Sequence, residues 1–426
     1  MDRADIAIIG GGAAGLAAAI FAAEAAAYRQ SRVRVEVLET AARIGAKILI
    51  SGGGRCNVTH AVVEPDDFSG ARPVVRNVLA AFGAQDTVRW FASLGVPLKR
   101  EATGKLFPVS DRAATVVEAL LRRCHQLDVA IRLRHRVHQL SVIDDERRDR
   151  FVVEHAHGTL RARSVIMATG GRSLPRTGCD GSGWDIVRRL GHEVTDTFPA
   201  LVPLVLARGM FHAELSGVSH PVELSIFAGG KLIDRRTGSL LWTHFGVSGP
   251  VVLDASRHWN AARRRGLQTV ARCNVLPGQT FDSIERQLVE VAATRPRLSI
   301  GRWLAERLPA RLAGSLARAA GIDSGFPISQ LARQERRTLV HTITGLTLPI
   351  ERDRGWDYAE VTAGGVPLKE IDYRTMESRK VPGLYLIGEM LDCDGRIGGF
   401  NFQWAWATGY LAGGAAAGKS STSLST

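Results

Sequence analysis

Apolar and polar positions in the first thirty-nine residues follow a simple order. Residues 5–9 form a short apolar run that ends at Gly10, and residues 13–28 form an alanine-rich segment with one glutamate. Residues 33–39 form a second run, in which valine alternates with charged residues. Short apolar runs are typical of buried strands, and a long apolar segment without a polar face is typical of a buried helix. The pattern predicts a strand, a glycine turn, a crossover helix and a second strand.

The later chain shows further strand and helix patterns. Residues 164–168 and 383–387 are apolar runs that lead into glycines, whereas short apolar runs with turn residues fill residues 194–278. Residues 279–339 have helical periodicity and many arginines. Three more strands are expected to form a meander, near residues 130–133, 137–142 and 151–154.

These patterns predict an α/β protein whose main domain is interrupted by an insert. A chain of 426 residues is long enough for two hydrophobic cores. We expect the insert to be a β barrel that carries a helical subdomain. The expected boundaries are residues 1–193 and 356–416 for the main domain, 194–278 and 340–355 for the barrel, 279–339 for the helical subdomain, and 417–426 for a disordered tail.

Glycines in the first turn occupy the positions of G-x-G-x-x-G, at Gly10, Gly12 and Gly15. In a strand–turn–helix unit the first permits the tight turn, the second lets the backbone approach a pyrophosphate, and the third lets helix and strand pack closely. The helix N-terminus offers N–H groups and a positive dipole end to the phosphates. Glu39, 24 residues past Gly15, is placed to bind a ribose hydroxyl. These features indicate a dinucleotide, and a glycine turn without a ligand is the alternative.

A second glycine-rich segment spans residues 45–59, in which residues 52–54 are all glycine. Glycine contributes no side chain to a core, so three in succession are not a core pattern. The N–H groups of such a loop can form a nest for an anion, with Lys47 and Arg55 supplying positive charge. We expect this loop to lie against the cofactor, and a flexible surface loop is the alternative.

The net charge of the chain is +13, from 55 basic and 42 acidic residues, and only seven of the basic residues are lysine. Guanidinium groups suit phosphate, so the arginine surplus favours an anionic partner, and a solvated arginine-rich surface is the alternative. Five scattered cysteines without a C-x-x-C pair indicate neither a disulfide framework nor a metal site, and we expect a cytoplasmic protein. No apolar run is long enough for a membrane helix, so we expect no membrane partner.

Two later segments carry candidate chemistry. His244 lies in a glycine-rich stretch at residues 241–250, where it is either a hydrogen-bonded core residue or a functional one. Near the C-terminus, a strand leads into Gly388-Glu389, and a glycine pair then opens a helix. An acid at a strand end can hold ribityl hydroxyls, and a helix N-terminus can stabilise negative charge on a reduced flavin. The second segment therefore favours a flavin and completes the main domain.

The chain resembles a bacterial flavoprotein family known as the HI-type insert-domain or BaiN/RdsA oxidoreductases. The resemblance spans nearly the whole chain and depends on these motifs: G-G-G-A-A-G, K-I-L-I-S-G-G-G-R-C-N-V-T, T-H-F-G-V-S-G-P, and V-T-A-G-G-V with G-E-M-L-D-C-D-G-R-I-G-G-F-N-F-Q-W-A-W. It implies a glutathione-reductase-type FAD-binding Rossmann domain that is split by an insert. It also implies flavin-dependent reduction of C=C bonds, because members are assigned to reduction of steroid-like enones and to formation of dihydrouridine in ribosomal RNA.

The resemblance also implies the residues of the site. The cofactor-binding candidates, including those already identified from the glycine-rich segments, are Gly10, Gly12, Ala13, Ala14, Gly15, Glu39, Lys47, Gly54, Arg55, Thr169, Gly170, Thr362, Gly364, Gly365, Gly388, Glu389, Asp394, Gly398, Gly399, Phe400 and Asn401. The catalytic candidates are Cys56, His244, Arg55 and Asn57.

A mechanism follows as a hypothesis. No second strand-linked G-x-G-x-x-G occurs, so we expect NAD(P)H to reduce the FAD transiently rather than to occupy its own domain. The reduced flavin then passes hydride to an activated C=C bond. Cys56 or His244 is the candidate proton donor, and Arg55 or Lys47 the candidate group that polarises a substrate carbonyl.

The substrate and the overall role leave several hypotheses open. We favour a uracil ring in ribosomal RNA, because its unsaturated imide accepts hydride and arginine supplies phosphate contacts. A small enone or an amine is the alternative substrate. A non-enzymatic FAD-carrying sensor or RNA-binding protein is the alternative role. We expect a monomer.

Overall fold

The computed structural model describes residues 2–143 and 149–418. The described chain divides into two compact units. The first comprises the chain up to Phe198 together with the chain from Val361 onward, and the second is Pro199–Glu360. The expected insert boundaries, 194 and 355, lie five residues before these. The reason at the first boundary is that the Thr195 N–H donates to the Gly365 carbonyl at 2.9 Å, which ties this residue to the first unit.

Helices and strands are numbered in chain order. Up to residue 200 they are β1 (Asp2–Ile9), α1 (Ala13–Tyr28), β2 (Val35–Leu38), α2 (Ala46–Gly54), β3 (Thr59–His60), β4 (Phe68–Ser69), α3 (Arg72–Ala81), α4 (Ala84–Ser93), β5 (Leu98–Arg100), β6 (Lys105–Pro108), α5 (Ala113–Gln126), β7 (Ala130–Arg132), β8 (Val137–Val142), β9 (Phe151–His155), β10 (Gly158–Met167), α6 (Ser182–Arg189) and β11 (Phe198–Ala200). In the second unit they are β12 (Leu204–Leu206), β13 (Ser219–Ala228), β14 (Lys231–Thr243), β15 (Gly246–Ser248), α7 (Pro250–Arg264), β16 (Thr269–Asn274), α8 (Phe281–Thr294), α9 (Ile300–Ala305), α10 (Ala310–Ala319), α11 (Arg333–Gly345), β17 (Leu346–Leu348) and β18 (Ile350–Asp353). The last segment contains β19 (Val361–Ala363), β20 (Ile371–Asp372), β21 (Glu377–Ser378), β22 (Leu384–Leu386), β23 (Asp394–Gly395) and α12 (Phe400–Gly418).

The first unit is built on a sheet whose central strands are parallel. Its order is β20-β21-β22-β10-β1-β2-β7, and β22, β10, β1, β2 and β7 run in the same direction. β1 lies between β10 and β2, with Ile9 opposite both Met167 and Leu38. Residues 6–9 are buried because a parallel strand is covered on both faces, which explains the continuous apolar run. The C-terminal segment thus supplies β22 to a sheet begun at the N-terminus.

The expected meander is wrong in one member. β7 does not join β8 and β9 in a separate layer, since it pairs in parallel with β2 at the end of the main sheet. The antiparallel meander consists of β8, β9 and β10, and β10 continues into the parallel sheet. β10, residues 158–167, therefore belongs both to the antiparallel meander and to the parallel sheet.

Helices α1 and α12 pack closely in the first unit. α1 is mostly alanine and buried on nearly all sides, and a helix without a polar face is typical of such a position. Glycines on α12 allow the contact, because a Cβ at Gly413 would lie 2.5 Å from the Ala18 carbonyl oxygen. α12 extends to Gly418, so residues 417 and 418 of the expected disordered tail are helical. Residues 419–426 lie outside the described residues.

The second unit contains a sheet of order β17-β16-β13-β14-β15-β12-β18. Its two end strands, β17 and β18, follow one another in the chain and are separated by Pro349 alone. The chain therefore passes directly from one edge strand of this sheet to the other, and the barrel stays a prediction. Its core is separate from that of the first unit and includes Trp242, Trp303 and Leu312.

Two features of the second unit differ from the expectation. Residues 250–264 form helix α7, in a region expected to contain only strands and turns. Pro250 opens this helix, and its buried face includes Val251 and Val252. Helices α8 to α11 occupy the expected helical region, but α11 continues to Gly345, so the chain returns to the sheet at Leu346 rather than at residue 340.

Candidate functional site

The carboxyl ends of adjacent parallel strands bring the glycine-rich segments of the first unit to one edge of the sheet. Gly10 follows β1, Glu39 follows β2, Thr169 follows β10, and Gly388 follows β22. The strands are aligned at these ends. The Gly10 N–H donates to the Leu38 carbonyl at 2.9 Å, and a Cβ at Gly388 would lie 2.9 Å from that of Ala14. Ligands of open α/β sheets bind outside this edge.

The first glycine turn has room for a ligand at one position only. A Cβ at Gly12 would meet no atom within 4 Å, whereas one at Gly15 would lie 1.9 Å from the Gly10 carbonyl oxygen. Gly12 is also the N-cap of α1, which has no side-chain cap. The first N–H groups of α1, including those of Ala13 and Ala14, therefore face a position that suits a pyrophosphate.

Glu39 is fixed by the backbone at the end of β2. Its carboxylate accepts the Gly11 N–H and the Ala41 N–H, each at 2.7 Å. A carboxylate has lone pairs for further donors, so Glu39 can still accept a ribose hydroxyl. The position of this acid beside the glycine turn fits the adenosine half of a dinucleotide.

A charged network joins three distant segments of the same unit. The Lys47 ammonium donates to Glu389 at 2.5 Å and to Ser173 at 2.6 Å, and the Ser173 hydroxyl donates to Glu389 at 2.7 Å. The Thr362 N–H donates to the same carboxylate at 3.0 Å, and the Thr362 hydroxyl accepts the Arg172 N–H at 2.8 Å. Lys47, Thr362 and Glu389 are thus brought together, and the charge of Lys47 is neutralised by a carboxylate.

The loop after β10 contains the predicted candidates Thr169 and Gly170 and also Ser173, which the sequence analysis did not include. Ser173 is fully buried within the network just described. A Cβ at Gly170 would lie 2.8 Å from the sulfur of Cys179, and burial raises the pKa of that thiol. The Thr169 hydroxyl is buried and has no hydrogen-bond partner among the described residues. The signal for this loop was its repeated glycine, at 170, 171, 178, 181 and 183.

The Gly52–Gly54 segment lies at a kink in α2. Ser51, Gly52 and Gly53 leave the helical conformation, and the three glycines are exposed. Arg55 then turns toward the β5–β6 hairpin, where its guanidinium donates to Glu101 at 2.6 Å. Arg55 is therefore paired with a carboxylate, as Lys47 is.

Cys56 and Asn57 have different environments. Cys56 is fully buried, and burial raises the pKa of its thiol to about 12. Its side chain therefore presents no surface to a substrate. The Asn57 side-chain oxygen is buried without a hydrogen-bond partner among the described residues, which indicates a group that a donor from outside the chain could satisfy.

The start of α12 contributes backbone rather than side chains. The Asn401 amide accepts from the Gly395 N–H and donates to the Gly395 carbonyl, both at 2.9 Å. The Phe400 ring stacks on His60, with ring centroids 5.0 Å apart. Both side chains are thus engaged by the protein. The backbone at Gly398 and Gly399, each with positive φ, remains the part of this segment that suits a cofactor.

The other C-terminal candidates are positioned by backbone constraints. Gly364 has positive φ, and a Cβ there would lie 2.3 Å from the Asp196 carbonyl oxygen. A Cβ at Gly365 would lie 2.5 Å from the Met390 carbonyl oxygen. Asp394 is buried in β23, opposite Ser69 of β4. These residues lie in the first unit.

His244 is placed in the second unit, in the turn between β14 and β15. It is exposed, and its ring contacts Phe245 edge-on, with centroids 5.2 Å apart. His244 is thus an accessible imidazole rather than a buried core residue. Among the described residues, no group of three or more His, Cys, Asp or Glu could hold a metal ion.

A parallel sheet with a glycine turn, a helix N-terminus and an acid at its strand ends defines a Rossmann-type dinucleotide-binding protein. The model of the HI0933-like protein Rossmann domain matches residues 4–415, and the chain belongs to this family. The expected α/β fold class and family are therefore confirmed. Within the described part of the chain, no helix is long and apolar enough to cross a bilayer.

Curated relatives match over nearly the full chain. A 3-dehydro-bile acid delta(4,6)-reductase of Clostridium scindens is 36% identical over 97% of this chain and 98% of the relative. A ribosomal RNA dihydrouridine synthase of Escherichia coli is 35% identical over 96% of this chain and 97% of the relative. This protein is an FAD-dependent oxidoreductase of the same family.

Solved structures of two steroid dehydrogenases share the fold at low identity. A 3-ketosteroid Δ4-(5α)-dehydrogenase of Rhodococcus jostii has a TM-score of 0.50 and 17% identity, covering 98% of this chain and 97% of the other. A 3-ketosteroid Δ1-dehydrogenase of Sterolibacterium denitrificans has a TM-score of 0.51 and 12% identity, covering 98% and 100%. At these identities the likeness concerns the fold.

Proposed function

We propose that this protein uses FAD to reduce a C=C bond conjugated with a carbonyl group, and that its substrate is a uracil ring of ribosomal RNA. The observation that carries the proposal is the convergence of Gly12, Glu39, Glu389 and the N-terminus of α1 at one edge of the parallel sheet. When bound, FAD supplies hydride transfer.

Particular residues would hold the cofactor. The N–H groups at the start of α1 suit the pyrophosphate, and Glu39 suits the adenosine ribose. The buried oxygens of Asn57 and Thr169, which have no partner in the described chain, fit polar groups of the same ligand. Glu389, held by Lys47 and Ser173, is oriented at a strand end where it can accept a ribityl hydroxyl.

Two observations favour RNA as the substrate. The Escherichia coli relative and a 33% identical relative from Haemophilus influenzae are both named ribosomal RNA dihydrouridine synthase. The net charge of +13 provides the electrostatic attraction that binding to a phosphate backbone requires. A small enone is the second candidate substrate, because the Clostridium scindens relative is named as a bile acid reductase at similar identity.

The reductant and the proton donor complete the proposal. NAD(P)H is the proposed reductant and visits transiently, since the sequence has one strand-linked G-x-G-x-x-G. His244 is the proposed proton donor, because its imidazole is exposed whereas the Cys56 thiol is fully buried with a pKa of about 12. Imidazole is also the side chain best suited to exchange a proton near neutral pH. We place the reaction in the cytoplasm, where free cysteines persist.

Anaerobic reoxidation tests the function. The purified protein is reduced with NADPH or NADH without oxygen and mixed either with ribosomal RNA that lacks dihydrouridine or with 4-androstene-3,17-dione. We expect RNA to restore the oxidised flavin spectrum and to acquire dihydrouridine, measured by mass spectrometry. Reoxidation by the steroid alone would favour the small-molecule alternative. Flavin that neither nicotinamide reduces would exclude NADH and NADPH as the reductant.

A further inference from the structure

A polar recess of about 270 Å³ lies in the second unit, between the strands β13, β14 and β16 and the helix α11. Residues alternate along β13. Leu224 and Ile226 belong to the hydrophobic core of the unit, whereas Glu223, Ser225 and Phe227 line the recess. The recess therefore lies on the face of β13 opposite that core, and all of its lining residues belong to the second unit.

Two arginines flank the centre of the recess. Ser225 on β13 is directly opposite Arg235 on β14 and directly opposite Arg272 on β16. Residues that are directly opposite in paired strands extend from the same face of the sheet. Because neighbouring strands are about 4.8 Å apart, the two arginines leave the backbone roughly 10 Å from each other, on either side of one serine. Their guanidinium groups can therefore donate to one anion from opposite sides.

The donors of the recess are available to a ligand. The guanidinium carbon of Arg272 lies 5.2 Å from the centroid of the Phe227 ring, and no carboxylate, carbonyl or hydroxyl of the described residues accepts from this side chain. An aromatic contact satisfies the face of a guanidinium group but not the N–H groups in its plane. Arg235 lies 3.8 Å from the Glu223 carboxylate and its side chain is 56% exposed. Within the described chain, the Ser225 hydroxyl makes no hydrogen bond.

The charge of the recess is positive. It contains two arginines, the imidazole of His341 and one carboxylate, that of Glu223. The amide of Asn274 is already satisfied, because it donates to the Gln279 carbonyl at 2.9 Å and accepts the Leu276 N–H at 3.0 Å. The groups left for a ligand are thus mainly donors, which suits an anion.

Positive charge continues from the recess along α11. Arg337 and His341 are four residues apart, so they share one face of this helix. Both contact the Phe281 ring, the guanidinium carbon of Arg337 at 5.3 Å and the imidazole centroid of His341 at 4.7 Å. In the part of the chain that the structure describes, Arg337 has no carboxylate partner. A positive surface of this extent fits a chain of phosphates better than a single small anion.

Other arginines of the second unit are neutralised by acids. Arg295 pairs with Glu306 at 2.8 Å, and Arg318 pairs with Glu214. A carboxylate partner offsets the positive charge that would otherwise attract a phosphate. Arg272 is exposed and has no such partner among the described residues, so it is a stronger candidate for binding an anion.

We propose that this recess binds phosphate groups of an RNA backbone through Arg235, Arg272 and the Ser225 hydroxyl. The inference rests on the proposed function and deepens it by assigning a binding site for the RNA. A guanidinium fork donates two parallel hydrogen bonds to phosphate oxygens, and a serine hydroxyl donates one more. Contacts of this kind position the nucleic acid and are independent of its base sequence.

The test measures the affinity of the oxidised, FAD-bound protein for a fluorescently labelled fragment of ribosomal RNA, at salt concentrations from about 50 to 200 mM. R235Q and R272Q each remove one cation of the recess. R302Q removes the same charge from an exposed position of α9, outside the recess. E223Q removes the carboxylate of the recess, and E290Q, at an exposed position of α8, is its matched control.

We expect R235Q and R272Q each to bind the RNA about tenfold more weakly at the lower salt concentration, and to reduce the slope of log affinity against log salt by about 1. The loss should be equal for a fragment of scrambled sequence, because phosphate carries no base information. E223Q should bind about threefold more tightly, since a repulsive charge is removed. R302Q and E290Q should stay within about twofold of the wild type.

Several results would overturn the inference. Equal RNA affinity in R272Q and R302Q would do so, as would weaker binding in E223Q. Loss of inorganic phosphate binding in R272Q, measured by calorimetry, with unchanged RNA affinity would assign the recess to free phosphate instead. Urea unfolding shows whether each variant is folded. If R272Q is not, R235Q and E223Q decide, because their opposite expected effects do not follow from a general loss of structure.

A second measurement separates this inference from the proposed function. Dihydrouridine is measured in the RNA after reaction with the reduced protein. If the recess variants bind RNA weakly but the wild type forms no dihydrouridine, the proposed function fails and the recess stands. If R272Q and the wild type form dihydrouridine equally fast at subsaturating RNA, the proposed function stands and the recess fails. A wild type that does not bind RNA would overturn both.

Discussion

Two glycines in the first turn are required for different reasons. Gly15 has no space for a side chain, because a Cβ would lie 1.9 Å from the Gly10 carbonyl oxygen. Gly12 has space, since a Cβ there would meet no protein atom within 4 Å. The protein alone therefore does not explain Gly12, whereas a pyrophosphate at the start of α1 does.

A pair of substitutions separates these roles. We expect Gly12→Ala to leave the unfolding midpoint of the cofactor-free protein unchanged and to weaken FAD binding by about 10- to 100-fold, the equivalent of a steric cost of roughly 1–3 kcal/mol. Gly15→Ala should destabilise the protein even without FAD. Urea unfolding and FAD titration measure the two effects. Equal FAD affinity in Gly12→Ala and the wild type would contradict the assignment.

At the residue scale, local motifs were predictable and long-range partners were not. Gly10, Gly12 and Glu39 follow from spacing within one strand–helix–strand unit, and the structure places them together. Ser173 could not be found this way, because its role depends on Lys47 and Glu389, which are far from it in sequence. Arg55 was predicted to be free to bind a ligand. Its pairing with Glu101 depends on how the β5–β6 hairpin folds back, which the sequence does not reveal.

At the scale of elements, the contact between α1 and α12 joins the two ends of the chain. Both helices are rich in small residues, which lets their backbones approach closely. A Cβ at Gly413 would lie 2.5 Å from the Ala18 carbonyl oxygen, whereas one at the neighbouring Gly414 would meet nothing within 4 Å. Adjacent glycines of α12 thus face different surroundings.

This difference gives the second prediction. Gly413→Ala should destabilise the protein by about 1–3 kcal/mol, because the added methyl group forces the helices apart. Gly414→Ala should be neutral or stabilise by up to about 1 kcal/mol, because alanine favours the helix. Free energies of unfolding from urea titration decide the matter. A loss of stability in both variants, or in neither, would show that the close contact of Gly413 with α1 does not determine the effect of the substitution.

Helices and strands were predicted well where the local hydrophobic pattern determines them. They were predicted less well where contacts with other parts of the chain determine the structure. The boundaries of α1 agree with its alanine-rich run, because burial on all sides requires apolar residues throughout. β7 was assigned to the wrong layer, since a short strand carries no information about which neighbour it pairs with. Helix α7 was missed because its apolar residues also fit short strands.

At the scale of the whole molecule, buried polar contacts hold the two parts of the discontinuous unit together. His192, from the first part, contacts Glu370 at 2.5 Å through Nδ1 and Ser378 at 2.8 Å through Nε2. Burial lowers the pKa of His192, although the nearby Glu370 carboxylate acts in the opposite direction. Burial thus favours the neutral imidazole, and in that form Nδ1–H donates to Glu370 and Nε2 accepts from the Ser378 hydroxyl.

The third prediction concerns acid stability. A group whose pKa is lowered on folding contributes stability above its unfolded pKa, about 6.5 for histidine, and that contribution is lost as the pH falls through the folded pKa. We expect the wild type to lose stability between about pH 7.5 and 5.5. His192→Asn should cost about 1–3 kcal/mol at pH 7.5, through unsatisfied partners, and should show a weaker dependence on pH. Urea midpoints at both pH values test this.

The control for acid stability is the matched pH series of the wild type, in which other buried histidines also titrate. His155, His212 and His220 have pKa values lowered chiefly by burial, so part of the dependence remains in the variant. An identical pH dependence of the urea midpoint in His192→Asn and the wild type would show that His192 does not contribute to the loss of stability in acid.

The placement of β22 and α12 in the first unit has a consequence for biosynthesis. Both elements come from the end of the chain, yet β22 pairs with β10 and α12 packs on α1. The ribosome must therefore complete the insert, and then the codons through α12, before the nascent chain can close its first domain. Until then β10 and α1 expose apolar surface, which a translating cell has to protect from aggregation.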